Sequence, residues 1–136
     1  MTEIKSVLVV EDNLIVAMVI EDDLRDAGYE VLGPTMRSAP SLDIAQSSTI
    51  SLALVDIDLE GGDNGVELAR RLRDDHQVPS LYITGQAAVA RAGKDAALGL
   101  LPKPFTTEQL LEAVAAALDY VETGEVPRTP KAAQWF

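Results

Sequence analysis

The sequence predicts an α/β fold, a doubly wound, five-stranded parallel sheet with helices on both faces. Three observations carry it. Short, almost wholly apolar runs recur at residues 7–10, 29–32, 52–55, 80–83 and 98–101, and a strand buried on both faces reads as such a run rather than as an alternation. Longer segments of helical period separate them, the pattern of crossover helices joining parallel strands. No internal repeat closes the five β-α units into a barrel, so an open sheet with right-handed crossovers is the natural architecture. At 136 residues, 47% hydrophobic and 24% charged, the chain suits one globular domain and neither disorder nor a fibre.

The elements follow in order. After the first strand, residues 13–27 read as a helix closed by Gly28, a residue suited to the left-handed terminal position. The second strand stops at Gly33-Pro34, which breaks the chain, and a weak helix covers residues 38–46. The third strand is strongly apolar and ends at Asp56. Asn64 caps the next helix, with Glu67 three positions on to complete a box-like cap; Arg70, Arg71 and Arg73 fall on its solvated side. Pro79 opens the fourth strand. The alanine-rich segment after Thr84-Gly85 permits a helix interrupted by Gly93. Thr106 and Gln109 make a capping box for the last helix, whose apolar stripe is Leu110, Leu111, Val114, Leu118 and Val121. Residues 1–123 form the expected domain. Residues 124–136 contain two prolines and no helical period, and are expected to be an irregular tail whose Trp135-Phe136 pair packs on its own domain or a partner, or is disordered.

Twenty-two acids against eleven bases leave a net charge of −11, which repels phosphate backbones and anionic membranes, so neither nucleic acid nor a lipid surface is an expected partner. The absence of cysteine excludes disulfides, thiolate metal sites and a cysteine nucleophile. The first apolar run is too short for a signal peptide and is followed at once by acids. No run approaches the ~20 apolar residues needed to span a bilayer. The expected location is the cytoplasm.

In a sheet of this kind ligands bind beyond the carboxyl ends of the strands, and those ends are unusually polar here. Glu11 and Asp12 follow the first strand, Asp56 ends the third with Asp58 beside it, Thr84 ends the fourth, and Lys103 precedes Pro104 after the fifth. Carboxylates brought together repel one another unless a cation is present, and an oxygen-only donor set suits a hard ion such as Mg²⁺. Lys103 can pair with Asp56 or an incoming phosphoryl oxygen, and Thr84 can donate to that oxygen. Such a pocket binds phosphoryl groups, and Asp56 is the best candidate to accept one covalently.

In sequence order, VLVVEDN, LVDIDL, LYITG and LLPKPF resemble the receiver domain of two-component response regulators, a flavodoxin-like fold, over roughly residues 5 to 121. The resemblance implies that Asp56 accepts phosphate from a histidine kinase or a histidine phosphotransfer protein. It implies that Asp12, Asp56 and the backbone carbonyl of Asp58 ligate Mg²⁺, with Glu11 assisting through water. It further implies that Lys103-Pro104 is a cis peptide and that Thr84 is a switch hydroxyl. Three features depart from the family's pattern. The loop from Asp56 to Gly65 is one residue longer, with Glu60 where proline is common. The interval from Thr84 to Lys103 is short, so the fourth helix is expected to be truncated. Leu100 stands where receivers carry a switch aromatic, so the response is expected to run through loop and fourth-helix rearrangement.

Taken singly, Asp12 reads equally well as a helix cap, Thr84 as a turn residue and Lys103 as a surface charge; their joint placement at successive strand ends favours a site. The Arg70, Arg71 and Arg73 run and His76 are assigned no role. The enzymatic rival is a small haloacid dehalogenase-type phosphohydrolase, because Asp56-Ile57-Asp58 imitates its D-x-D pair. Against it, the acidic pair precedes the nucleophile instead of following it, and no segment is long enough for a substrate cap. The expected protein is a stand-alone, single-domain regulator and a phosphoprotein, not an enzyme beyond slow self-dephosphorylation. It relays phosphate, drains it from a kinase, or binds a downstream protein target when phosphorylated. Homodimer formation stays open.

Overall fold

The apolar runs become strands because every residue in the central three has somewhere dry to point. The computed structural model describes residues 3–136; Met1 and Thr2, the start of the expected domain, lie outside the described residues. The elements are β1 (Ser6–Val10), α1 (Leu14–Asp26), β2 (Glu30–Thr35), α2 (Ser38–Ser47), β3 (Leu52–Asp56), α3 (Gly65–His76), β4 (Ser80–Thr84), α4 (Ala87–Ala92), β5 (Gly99–Pro102), α5 (Thr107–Thr123) and β6 (Gln134–Trp135). The sheet order is β2-β1-β3-β4-β5-β6, parallel from β2 to β5 and antiparallel between β5 and β6.

Side chains alternate across the strands and so feed two layers. Val7, Val9, Leu52, Leu54, Leu81, Ile83 and Leu101 face α1 and α5, where Ile20, Leu24, Leu110 and Val114 meet them. Leu8, Val10, Ala53 and Val55 face α2 and α3, meeting Ala45, Leu68 and Leu72. A third cluster under α3 and α4 gathers Ile57, Val66, Tyr82, Ala90 and Leu100. Of the expected α5 stripe, Leu110 and Val114 are buried and Leu111 and Leu118 pack half-buried against the same layer; Ala113 and Ala117 join them, whereas Val121 is exposed.

Capping explains where the helices start. Asn13 accepts from the backbone of Ile15 and Val16, and Asn64 accepts from Val66 and Glu67. Thr106 and Gln109 form a complete reciprocal box. The fourth helix is truncated to six residues, followed by a single 3-10 turn at Lys94–Ala96.

Two expectations are corrected. The second strand does not stop at Gly33-Pro34 but runs through it to Thr35. This is possible because β2 is the sheet edge, where a residue lacking N–H is tolerated, and the register shifts between Leu8 and Val10 to absorb it. The tail is irregular only over its first part: Gln134 and Trp135 pair with Leu100 and Gly99, giving a sixth strand rather than five. Pro130 and Ala133 are buried on the way there.

Truncating Leu54, wholly buried in the central strand, to alanine is expected to lower unfolding free energy by about 3 kcal/mol. Thr106→Ala, which removes the cap of α5, is expected to cost about 1 kcal/mol. Urea denaturation of the two variants measures both.

Candidate functional site

The direction in which strands are added reverses at β1. The chain leaves β1 for β2 on one side and returns to the other side for β3, so the crossover helices diverge and a crevice opens above the carboxyl ends of β1 and β3. Glu11, immediately after β1, is wholly buried there, and Asp56, the last residue of β3, is 6% exposed. Asp12 stands at the solvent rim. One carboxylate oxygen from each of the three lies within 4.8 Å of the others.

Each acid is held by its own stretch of backbone. Glu11 N–H donates to the Thr35 carbonyl at 2.9 Å, tying it to β2, and Glu11 Oε2 accepts from Asn13 N–H at 3.1 Å. Lys103 leaves β5 through a cis bond to Pro104. Its Nζ is 3.1 Å from Asp56 Oδ2 and is ion-paired with Glu11 Oε1. That Oε1 is buried, and the Lys103 ammonium is the positive charge that meets it there.

Burial and close acidic neighbours shape the electrostatics of the site. Burial, then the neighbouring Asp56, pushes the Glu11 carboxyl up to about 7, against the opposing pull of Lys103. Burial also works against the charge on Lys103, but its contacts with Glu11 and Asp56 outweigh it and hold the ammonium pKa above its ordinary value. Three carboxylates against one ammonium, all donors being oxygen, form a set that fits a hard divalent cation such as Mg²⁺.

Thr84 ends β4, one position beyond the Ile83 that pairs with Asp56, and is 2% exposed. Its Oγ1 accepts from Gln86 N–H at 2.9 Å, which leaves the hydroxyl proton free to be donated. The structure thus brings Glu11, Asp12, Asp56 and Lys103 into contact range and sets Thr84 on the neighbouring strand end. The Asp58 side chain is not brought in. It is exposed, touches Gln86 Nε2, and stands outside the three-acid group, while its backbone bridges to Asn64.

Sequence reasoning overlooked two supporting residues. A Cβ on Gly65 would collide with the Asp56 carbonyl oxygen and lie 2.7 Å from Ile57 Cα, so only glycine lets α3 start so close to the acceptor strand. The Asn64-Gly65 dipeptide was the available signal. Gln86, which bridges the Thr84 and Asp58 loops, carries no signal in the sequence alone.

A family profile described as the response regulator receiver domain matches residues 7–115. The chain belongs to that family. Among curated relatives, the receiver is 26% identical over 117 residues to the transcriptional regulatory protein PdtaR of Mycobacterium tuberculosis, covering 84% of this chain and 57% of the relative. It is 34% identical over 118 residues to the transcriptional regulatory protein YkoG of Bacillus subtilis, covering 82% and 50%. The chain therefore spans only about half the length of these relatives. The polar-differentiation response regulator DivK of Brucella anthropi is 27% identical over 120 residues, covering 84% of this chain and 96% of DivK. Among solved structures, a CheY-like receiver domain protein from Methanospirillum hungatei has a TM-score of 0.78 at 23% identity, covering 90% of this chain and 100% of the other. The signal receiver domain of a modulated diguanylate cyclase from Desulfovibrio desulfuricans has a TM-score of 0.80 at 29% identity, covering 90% and 100%. The receiver is thus a phosphoacceptor module of two-component signalling, and the dehalogenase alternative is not favoured. No helix among the described residues is long and apolar enough to cross a membrane.

Gly65→Ala is expected to destabilise the receiver by about 3 kcal/mol through overpacking against β3. Gly61→Ala, where a Cβ meets nothing within 4 Å but φ is +73°, is expected to cost about 1 kcal/mol. Thermal unfolding of the pair separates steric from backbone cost.

Proposed function

We propose that this receiver is a single-domain response regulator whose Asp56 takes a phosphoryl group from a phosphohistidine of a histidine kinase or histidine phosphotransfer protein in a Mg²⁺-dependent reaction. The observation that carries the reading is the ion pair of Lys103 with both Glu11 and Asp56 at the rim where β1 and β3 part. An oxygen of the Asp56 carboxylate attacks phosphorus, the phosphorus–nitrogen bond breaks, and the imidazole leaves with the electron pair. Lys103 engages Asp56 Oδ2, and its ammonium compensates charge on the transferred group. Thr84 donates its free hydroxyl proton to a phosphoryl oxygen. Asp12 and Asp56 would hold Mg²⁺ together with the Asp58 backbone carbonyl, Glu11 assisting through water. The bound ion would supply charge neutralisation for the phosphoryl oxygens.

The donor protein needs a surface beside Asp56. Leu14, Ile15, Met18 and Val19 are exposed on α1, and Ile15 and Val19 share a groove with Lys103, Pro104 and Phe105. An apolar strip of this kind next to the acceptor supports docking of the phosphodonor there. The product is an acyl phosphate with no substrate turnover, so the receiver acts as a switch, relay or phosphate sink and not as an enzyme beyond slow loss of its own phosphoryl group. The Asp58 carboxylate, engaged with Gln86, is poorly placed for the general acid that a phosphohydrolase needs.

Intact-mass measurement after incubation with acetyl phosphate and Mg²⁺ is expected to find one phosphoryl group per wild-type chain and none on Asp56→Asn or after chelation of the metal. Equal uptake by wild type and Asp56→Asn overturns the assignment. Ile15→Glu is expected to leave uptake from acetyl phosphate unchanged while slowing transfer from the kinase at least about tenfold.

A further inference from the structure

The tail does more than extend the sheet. Its last residues fasten to three elements at once. On β5, Trp135 pairs with Gly99 and Gln134 with Leu100, and Phe136 N–H donates to the Leu98 carbonyl at 2.9 Å. On α5, Tyr120 lies edge-on to Trp135 with centroids 6.3 Å apart, and its hydroxyl donates to the Phe136 carbonyl. On the α4 side, Phe136 packs into the cluster of Tyr82, Ala90 and Leu100, 6.5 Å from the Tyr82 ring, and Arg91 donates to Gln134 Oε1 at 3.2 Å.

Strand β5 is built to receive this segment. A Cβ on Gly99 would collide with the Gln134 carbonyl oxygen and come within 2.9 Å of the Trp135 ring, so the glycine is what allows the tail to lie flat. The fastening is also shallow. Its ladder is two residues long, and the Trp135 indole N–H is buried without a partner, a combination that marks an easily opened element. The element most exposed to events at the acceptor is the one the tail touches. Helix α4 begins three residues after Thr84, has six residues, and lacks a side-chain cap, so tertiary contacts, including those with Phe136, hold it in place.

We propose that residues 130–136 are a strap that joins α4 to α5 across the β5 edge, and that phosphorylation of Asp56 releases it. The proposal rests on the acceptor role of Asp56 given above. When the Thr84 hydroxyl turns to a phosphoryl oxygen, its bond to Gln86 N–H is lost and the segment leading into α4 shifts. The Phe136 contact then opens, and the two-residue ladder does not survive without it. Release frees the β5 edge and the side of Tyr82 that Phe136 covers.

Trp135 is the chain's single tryptophan and reports directly. On one sample of the 136-residue chain treated with acetyl phosphate and Mg²⁺, intact mass gives phosphate uptake and Trp135 emission with acrylamide quenching gives the state of the strap. The expected result is a red shift and an about threefold rise in quenching in the phosphorylated wild type, with no change in Asp56→Asn. Gly99→Ala is expected to show the released signal without phosphate while still taking up one phosphoryl group. Phe136→Ala, which leaves β5 untouched, is expected to do the same. Phosphate uptake with unchanged Trp135 emission overturns the strap while sparing the acceptor reading, as does an unreleased signal in both variants. No uptake by the wild type overturns the acceptor reading and the strap with it.

Discussion

The Lys103 ammonium between Glu11 and Asp56 is the interaction on which the rest of the site depends. Three acids gather at one rim of the sheet, and two of them are buried. Without a resident cation their mutual repulsion would be relieved by protonation or by parting of the strands. Lys103 supplies one positive charge from β5, two strands away from Asp56, and so binds the far half of the sheet to the near half through electrostatics as well as through hydrogen-bonded ladders. The Glu11 carboxyl stays raised to about 7 even so, first because it is buried and then because Asp56 lies beside it. Three carboxylates around one ammonium leave an oxygen donor set that fits a further hard cation.

Much of this was legible because the relevant signals are local. Runs such as Leu-Ala-Leu-Val before Asp56 mark both a strand and the place where it ends, and in a doubly wound sheet the ends are the site. Glu11, Asp12, Asp56, Thr84 and Lys103 could be picked by position without knowing a single distance. Cap residues Asn64 and Thr106 likewise announce helices by chemistry contained within four residues.

What the sequence withheld depends on long-range packing. Pro34 looks like a strand terminator until β2 is known to be the edge. Val121 continues the α5 stripe in the text, yet it is exposed. Asp58 sits in the motif yet turns to Gln86, a partner 28 residues away. The tail is the largest case. Nothing in two prolines and a polar stretch foretells that Trp135 and Phe136 will straddle β5, one on each face of the sheet, because the receiving surface is assembled from Gly99, Tyr82 and Tyr120 only after folding. With Leu100 on β5, Tyr82 and Phe136 supply rings on one side of that strand and Tyr120 and Trp135 on the other.

The edges of the sheet carry a further consequence. An exposed outer strand is a template on which other chains can stack, and long flat edges seed ordered aggregates. Here one border is β2, interrupted by Pro34 and an irregular register, and the other is a two-residue strand laid antiparallel over β5. Both borders are poor templates for intermolecular growth, and together with the surplus of acidic charge they give the molecule a colloidal safeguard in a crowded solution.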